Sequence, residues 1–189
     1  MTLKRRALNL PNKLTLIRIF LVPFLMVFLL ISNSRPFHYT AALIFIAAVI
    51  TDWLDGHIAR STSQVTTLGQ LLDPIADKLL IAAALISLVQ VGRVPAWMVV
   101  LIVGRDIVVT GLRGIAASQG LIIQASDLGK YKMVFETSAV VFLILNWPSS
   151  SQWPSLTPGI FLLWVAMGLA IVSGVDYFIR FWARIDLGR

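Results

Sequence analysis

Cysteine does not occur anywhere in the 189 residues, which excludes disulfides and thiolate metal sites. Imidazole is almost as scarce. His38 and His57 are the two histidines, so a zinc centre built on nitrogen and sulfur ligands is not expected. Charged residues make up only 13% of the chain against 58% hydrophobic ones, and the mean hydropathy is +0.84, a balance that excludes an ordinary soluble globular domain. No long repeat or low-complexity tract is present; Ser149-Ser150-Ser151 is a small polar patch that reads as part of an exterior loop. The net charge of +7 does not indicate nucleic acid, because the basic residues flank apolar runs, as they do at a membrane surface, instead of clustering on a soluble face.

The apolar runs themselves point to an all-α integral membrane bundle forming one domain over residues 1–189. A closed β-barrel would show short alternating segments instead. Six runs are long enough to cross a bilayer, at roughly 14–32, 40–60, 69–91, 94–118, 129–147 and 158–182. Six crossings put both termini on one side. Lys4, Arg5, Arg6 and Lys13 before the first run, with Arg184 and Arg189 after the last, place that side in the cytoplasm. The outward connections, 33–39, 92–95 and 148–157, carry only Arg35 and Arg93 as cations and hold His38 in the first of them. Asn33-Ser34-Arg35-Pro36 and Gly92-Arg93-Val94-Pro95 are strong helix breakers. The N-terminal segment lacks a small-residue cleavage site and is expected to be retained. Trp97, Trp147, Trp153 and Trp182 lie near run ends, where an interfacial belt explains them.

Against this apolar background stand four carboxylates. Asp52 and Asp55 are three residues apart and Asp73 and Asp77 four apart, so on helices each pair projects from one face. Each carboxylate at bilayer depth costs roughly 2.5 to 3.5 kcal/mol on insertion scales, so such residues line polar cavities and mark function. Four converging carboxylates repel one another unless cations intervene. Hard divalent ions, Mg²⁺ or Mn²⁺, suit all-oxygen ligands and in turn attract phosphates. Gly56 and Ala59 are small enough to admit a phosphate, a nucleotide or a neighbouring helix close to the backbone, and Arg60 can grip a phosphate bidentately. The topology opens this cluster toward the cytoplasm.

The pattern Asp52-x2-Asp55-Gly56-x2-Ala59-Arg60-x8-Gly69-x3-Asp73-x3-Asp77 resembles, without a gap, the signature of the CDP-alcohol phosphotransferase family. The resemblance implies a six-span bundle, usually homodimeric, in a membrane such as the bacterial inner membrane. It further implies that Asp52, Asp55 and Asp73 ligate divalent metal, two ions in all. Asp77 would join them and act as general base toward an acceptor hydroxyl. Gly56, Ala59, Arg60 and Gly69 fall on the CDP-diacylglycerol side. Asn12 and Thr15 either hydrogen-bond its cytidine end or cap the first helix.

Gly104-Arg105-Asp106 through Arg113, Gly129-Lys130-Tyr131-Lys132, and Asn9 through Arg18 resemble the branch of the family that uses glycerol 3-phosphate and releases CMP. That branch commonly carries Glu at the position of Asp106 and Thr at that of Met133. An anionic acceptor needs cations, and Arg113, Lys130 and Arg180 sit toward the cytoplasmic ends of three runs. Arg105 and Lys132 are second-rank candidates, able instead to neutralise Glu136, Asp106 or Asp176; Arg180 is four residues from Asp176 and can pair with it locally. Two alternatives remain: a relative using phosphatidylglycerol to make cardiolipin, and a cation or proton transporter, which the one-sided cluster and Arg60 disfavour.

Overall fold

The structure, a computed structural model, describes residues 10–32, 34–61, 67–118, 127–145 and 157–186. Six helices occupy them: α1 (Leu10–Leu30), α2 (Arg35–Ser61), α3 (Thr67–Gln90), α4 (Ala96–Ser118), α5 (Asp127–Leu145) and α6 (Pro158–Asp186). No strand occurs among the described residues. Each helix matches one expected run, but α1 and α2 start earlier, at Leu10 and Arg35, because hydropathy marks bilayer depth while helix starts are set by caps. His38, expected in an outward loop, is therefore helical and buried, on the face of α2 that also buries Ala41, Ala42, Phe45 and Ala48.

The ends follow from local chemistry. Pro158 opens α6, and the Thr157 hydroxyl accepts from the Ile160 amide at 3.4 Å, an N-cap arrangement with proline at the first helical position. Gly92, just beyond α3, has φ 73°, a left-handed conformation that side chains resist and that turns the chain out of the helix.

α1 and α6 are long and apolar enough to cross a membrane. Their apolar stretches are only 28% and 39% buried, whereas the core helix of a soluble protein is mostly buried. Their exposed faces carry Phe20, Phe24, Phe161, Trp164 and Ile179, so each presents large apolar side chains outward. Charge occurs in all six helices: Lys13 and Arg18 in α1, Asp52, Asp55 and Arg60 in α2, Asp73, Asp77 and Lys78 in α3, Arg105, Asp106 and Arg113 in α4, Lys130, Lys132 and Glu136 in α5, and Asp176 and Arg180 in α6.

The chain forms two compact units, one of residues 1–91 with 144–150, the other of residues 92–143 with 151–189. In the first, α1 packs against both α2 and α3. Its buried face is one seam, Asn12, Thr15, Arg18, Val22, Leu25 and Leu29, spaced by three and four; it is polar in the first half and apolar in the second. Small residues of the partners, Ala41, Ala48, Ala76 and Ala84, allow close helix approach.

In the second unit α4 packs against α6. Val109 and Ala116 of α4 join Tyr177 and Phe181 of α6, with Leu112 alongside. A Cβ on Gly159 would lie 2.7 Å from Leu143 Cγ, so the start of α6 approaches α5 at a distance only glycine permits. Arg93, between α3 and α4, donates to the Leu143 carbonyl at 3.1 Å in the last turn of α5, and burial lowers its guanidinium to about 10, still charged at neutral pH.

Candidate active site

α2 and α3 position the signature residues. Asp52, Asp55, Gly56, Ala59 and Arg60 lie in the C-terminal turns of α2, and Gly69, Asp73 and Asp77 in the N-terminal half of α3, all in the first unit. The side chains of Asp52 and Asp77 are described and both are partly exposed. Side-chain roles expected of Asp55, Ala59, Arg60 and Asp73, and the close approach expected at Gly56 and Gly69, lie outside the described residues. Among the described residues no three His, Asp or Glu side chains converge, a set that contains only two of the four aspartates.

Asp52 has a partner that sequence reasoning did not single out. Arg18 Nη1 donates to Asp52 Oδ1 at 2.5 Å, with Arg18 fully buried and the Asp52 side chain 27% exposed. Asn12 and Thr15 are buried on the same face of α1, about two turns and one turn before Arg18 respectively. Their spacing of three, continued by Arg18, was the available signal: a cation repeating the period of two polar neighbours belongs to the seam, not to the lipid face.

The second unit holds a different cluster. Lys132 Nζ lies 2.5 Å from Asp106 Oδ2 and 2.7 Å from Glu136 Oε2. Arg105 donates to Asp106 Oδ1 at 3.1 Å, to Ser173 Oγ at 2.7 Å and to the Ala170 carbonyl at 3.1 Å. Gly174 makes room for this arginine, since a Cβ there would stand 3.1 Å from Arg105 Cγ. Two cations and two carboxylates thus tie α4, α5 and α6 together. Lys132 and Glu136 are buried, and the Arg105 and Asp106 side chains are 18% and 16% exposed. The sequence-level alternative, in which Arg105 and Lys132 neutralise carboxylates, is the arrangement found.

The three first-rank acceptor cations are more accessible. Arg113 Cζ lies 5.9 Å from the Tyr177 ring centroid, a cation–π contact. The Tyr177 hydroxyl is buried with no hydrogen-bond partner among the described residues. Arg180 donates to Asp176 at 2.9 Å, the local pairing its spacing allowed. Lys130 pairs with Asp127 at 2.9 Å, both largely exposed. Arg113 and Arg180 lie on packed helices of one unit, near the Val109–Tyr177–Phe181 cluster.

The sequence profile of CDP-alcohol phosphatidyltransferases matches residues 8–173. A protein of Bacillus subtilis named CDP-diacylglycerol–glycerol-3-phosphate 3-phosphatidyltransferase is 44% identical, over 94% of this chain and 97% of its own length. A Rickettsia felis protein of the same name is 38% identical over 90% and 93%. A rice protein named cardiolipin synthase (CMP-forming) is also 38% identical, over 94% of this chain but 58% of its own length. With a profile match running from α1 into α6 and relatives similar along nearly their whole length, the chain is an enzyme belonging to the CDP-alcohol phosphatidyltransferase family.

Proposed function

We propose that the protein transfers the phosphatidyl group of CDP-diacylglycerol to glycerol 3-phosphate, forming phosphatidylglycerophosphate and releasing CMP. The observation that carries this reading is the partly exposed Asp52 carboxylate, held from behind by a buried arginine on the seam of α1, at the first position of a signature that continues to Asp77. The acceptor follows from the names of the Bacillus and Rickettsia relatives.

An all-oxygen donor set fits a divalent ion, and Asp52 fits in detail: one oxygen rests on Arg18 while the partly exposed carboxylate has a second to offer. Asp52, Asp55, Asp73 and Asp77 would hold two ions, Mg²⁺ or Mn²⁺. Ions bound there would supply Lewis-acid stabilisation of charge on the phosphate oxygens. Asp77 accepts the proton of the acceptor hydroxyl as its oxygen bonds to the phosphatidyl phosphorus, and the pyrophosphate P–O bond breaks to free CMP. Arg60 grips the donor pyrophosphate; Gly56, Ala59 and Gly69 let the nucleotide approach the backbone; Asn12 and Thr15, buried on α1, present polar groups toward its cytidine end. Arg113, Lys130 and Arg180 bind the acceptor phosphate. Arg105 and Lys132, already matched by carboxylates, hold the helices that carry them.

Six transmembrane crossings, cytoplasmic termini, a site open to the cytoplasm and a homodimer in the bacterial inner membrane complete the proposal. Six helices flanked by cations at both ends of the chain support it, and the profile match through both units supports one functional domain. The alternative reading, a cardiolipin synthase with phosphatidylglycerol as acceptor, draws on the name of the rice relative. An acceptor panel decides: purified protein, CDP-diacylglycerol and Mg²⁺ or Mn²⁺ are incubated with glycerol 3-phosphate, serine, inositol phosphate or phosphatidylglycerol. CMP release with glycerol 3-phosphate is the expected result, and release with phosphatidylglycerol alone would overturn the assignment.

A further inference from the structure

Burying a guanidinium is costly, by several kcal/mol before its partners compensate, and an arginine whose role is only to neutralise a carboxylate does so best with two parallel hydrogen bonds. Arg18 is fully buried, yet it meets Asp52 through one oxygen, Oδ1, at 2.5 Å. Oδ2 takes no part in that bond, and the side chain keeps 27% exposure. The contact is fixed from the α1 side, since Arg18 lies in the seam between Thr15 and Val22, all three buried.

The geometry points to Arg18 as a positioning residue that limits Asp52 to one oxygen toward a divalent ion and so selects Mg²⁺ or Mn²⁺ over Ca²⁺. This rests on the metal reading given above. Magnesium needs near-octahedral coordination at about 2.0–2.1 Å and takes carboxylates singly, whereas calcium accepts 6 to 8 oxygens, often with a carboxylate bidentate, at roughly 2.3–2.6 Å. A donor seated on Oδ1 closes the bidentate mode. Charge alone cannot create the preference, because the guanidinium repels every divalent ion by a similar amount. The ratio of calcium to magnesium affinity therefore isolates the geometric effect from the electrostatic one.

Isothermal titration of the purified full-length protein with MgCl₂, MnCl₂ and CaCl₂ tests this without reference to turnover. Wild type should bind Mg²⁺ and Mn²⁺ more tightly than Ca²⁺, and Asp52→Asn should weaken all three. Arg18→Met frees Oδ1, and the calcium-to-magnesium affinity ratio should rise by about tenfold or more, the scale on which groups behind metal ligands act. Arg18→Lys keeps the charge without the planar fork; it should move the ratio the same way by less, and it carries the test if the methionine variant does not fold. A ratio unchanged in the folded variant, with affinities for all three ions shifted together or not at all, overturns the inference and leaves Arg18 as a charge. No binding by wild type, or binding by Asp52→Asn equal to wild type, overturns the metal reading and the inference with it.

Discussion

The two units each bury charge, and they do it in opposite ways. In the second, Arg105 and Asp106 of α4 and Lys132 and Glu136 of α5 balance two positive charges against two negative, and Arg105 also reaches Ser173 and the Ala170 carbonyl of α6. In the first, Arg18 engages one oxygen of Asp52, while three further aspartates of the signature follow on α2 and α3. A neutral set of this kind acts as a brace between helices. A carboxylate held by one oxygen and open at the other is arranged for something that binds.

Breaking the first cluster should have the largest effect. Asp52→Asn, Asp55→Asn or Asp73→Asn should each lower CMP release by orders of magnitude in protein that still inserts, because each removes an ionic ligand. Full activity in any of them would sink the metal assignment. Asp77→Asn should retain CDP-diacylglycerol binding and lose about 10² to 10⁴ in rate, the usual contribution of a general base. Parallel loss of binding and turnover would make Asp77 chiefly a ligand.

Breaking the second cluster should show in stability instead. Lys132→Met takes the shared ammonium from both Glu136 and Asp106, a loss on the order of 3 to 5 kcal/mol in detergent unfolding. Adding Glu136→Gln restores the balance and should recover much of it. A stable Lys132→Met enzyme with impaired glycerol 3-phosphate use would return Lys132 to the acceptor. The smallest effect separates the exposed cations. Arg113→Gln should weaken acceptor use by about 1.5 to 3 kcal/mol, roughly 10- to 150-fold, with CDP-diacylglycerol affinity unchanged. Asp176→Asn breaks only an exposed pair four residues apart, worth about 0.3 to 0.5 kcal/mol, and kinetics should barely register it. A KM for glycerol 3-phosphate that rises in Asp176→Asn as much as in Arg180→Gln would show the pair acting as a unit.

The helices were legible in the sequence because proline, glycine and polar clusters separate long apolar runs, and those signals are local. The aspartate pairs were legible for the same reason, since three- and four-residue spacing on a helix needs no tertiary knowledge. Partner choice was not. Lys132–Glu136 is a local pair four residues apart, but the bond from Lys132 to Asp106, 26 residues away, and those from Arg105 to Ser173 and the Ala170 carbonyl are selected only by the packing of α4, α5 and α6. Arg18 lies 34 residues from Asp52, and a cation in the first apolar run resembles a topology signal until its burial is seen. His38 misled because an apolar-run boundary stands in poorly for a helix start.

The seam of α1 also orders events in time. In the proposed six-span topology, with helices inserted in chain order, α1 would enter the bilayer before Asp52 is made and its arginine would enter without that carboxylate, at roughly 2.5 to 3.5 kcal/mol on insertion scales. The apolar second half of the helix, from Val22 through Leu25 to Leu29, is what makes that early entry tolerable. When α2 follows, its first aspartate meets a guanidinium already waiting, and each charge relieves the other's isolation. A slip of one turn, about 5.4 Å, would set Val22 against Asp52 and leave Arg18 stranded. Depth of insertion and assembly of the proposed site would then be a single event: a first helix seated at the wrong height would leave Asp52 without Arg18.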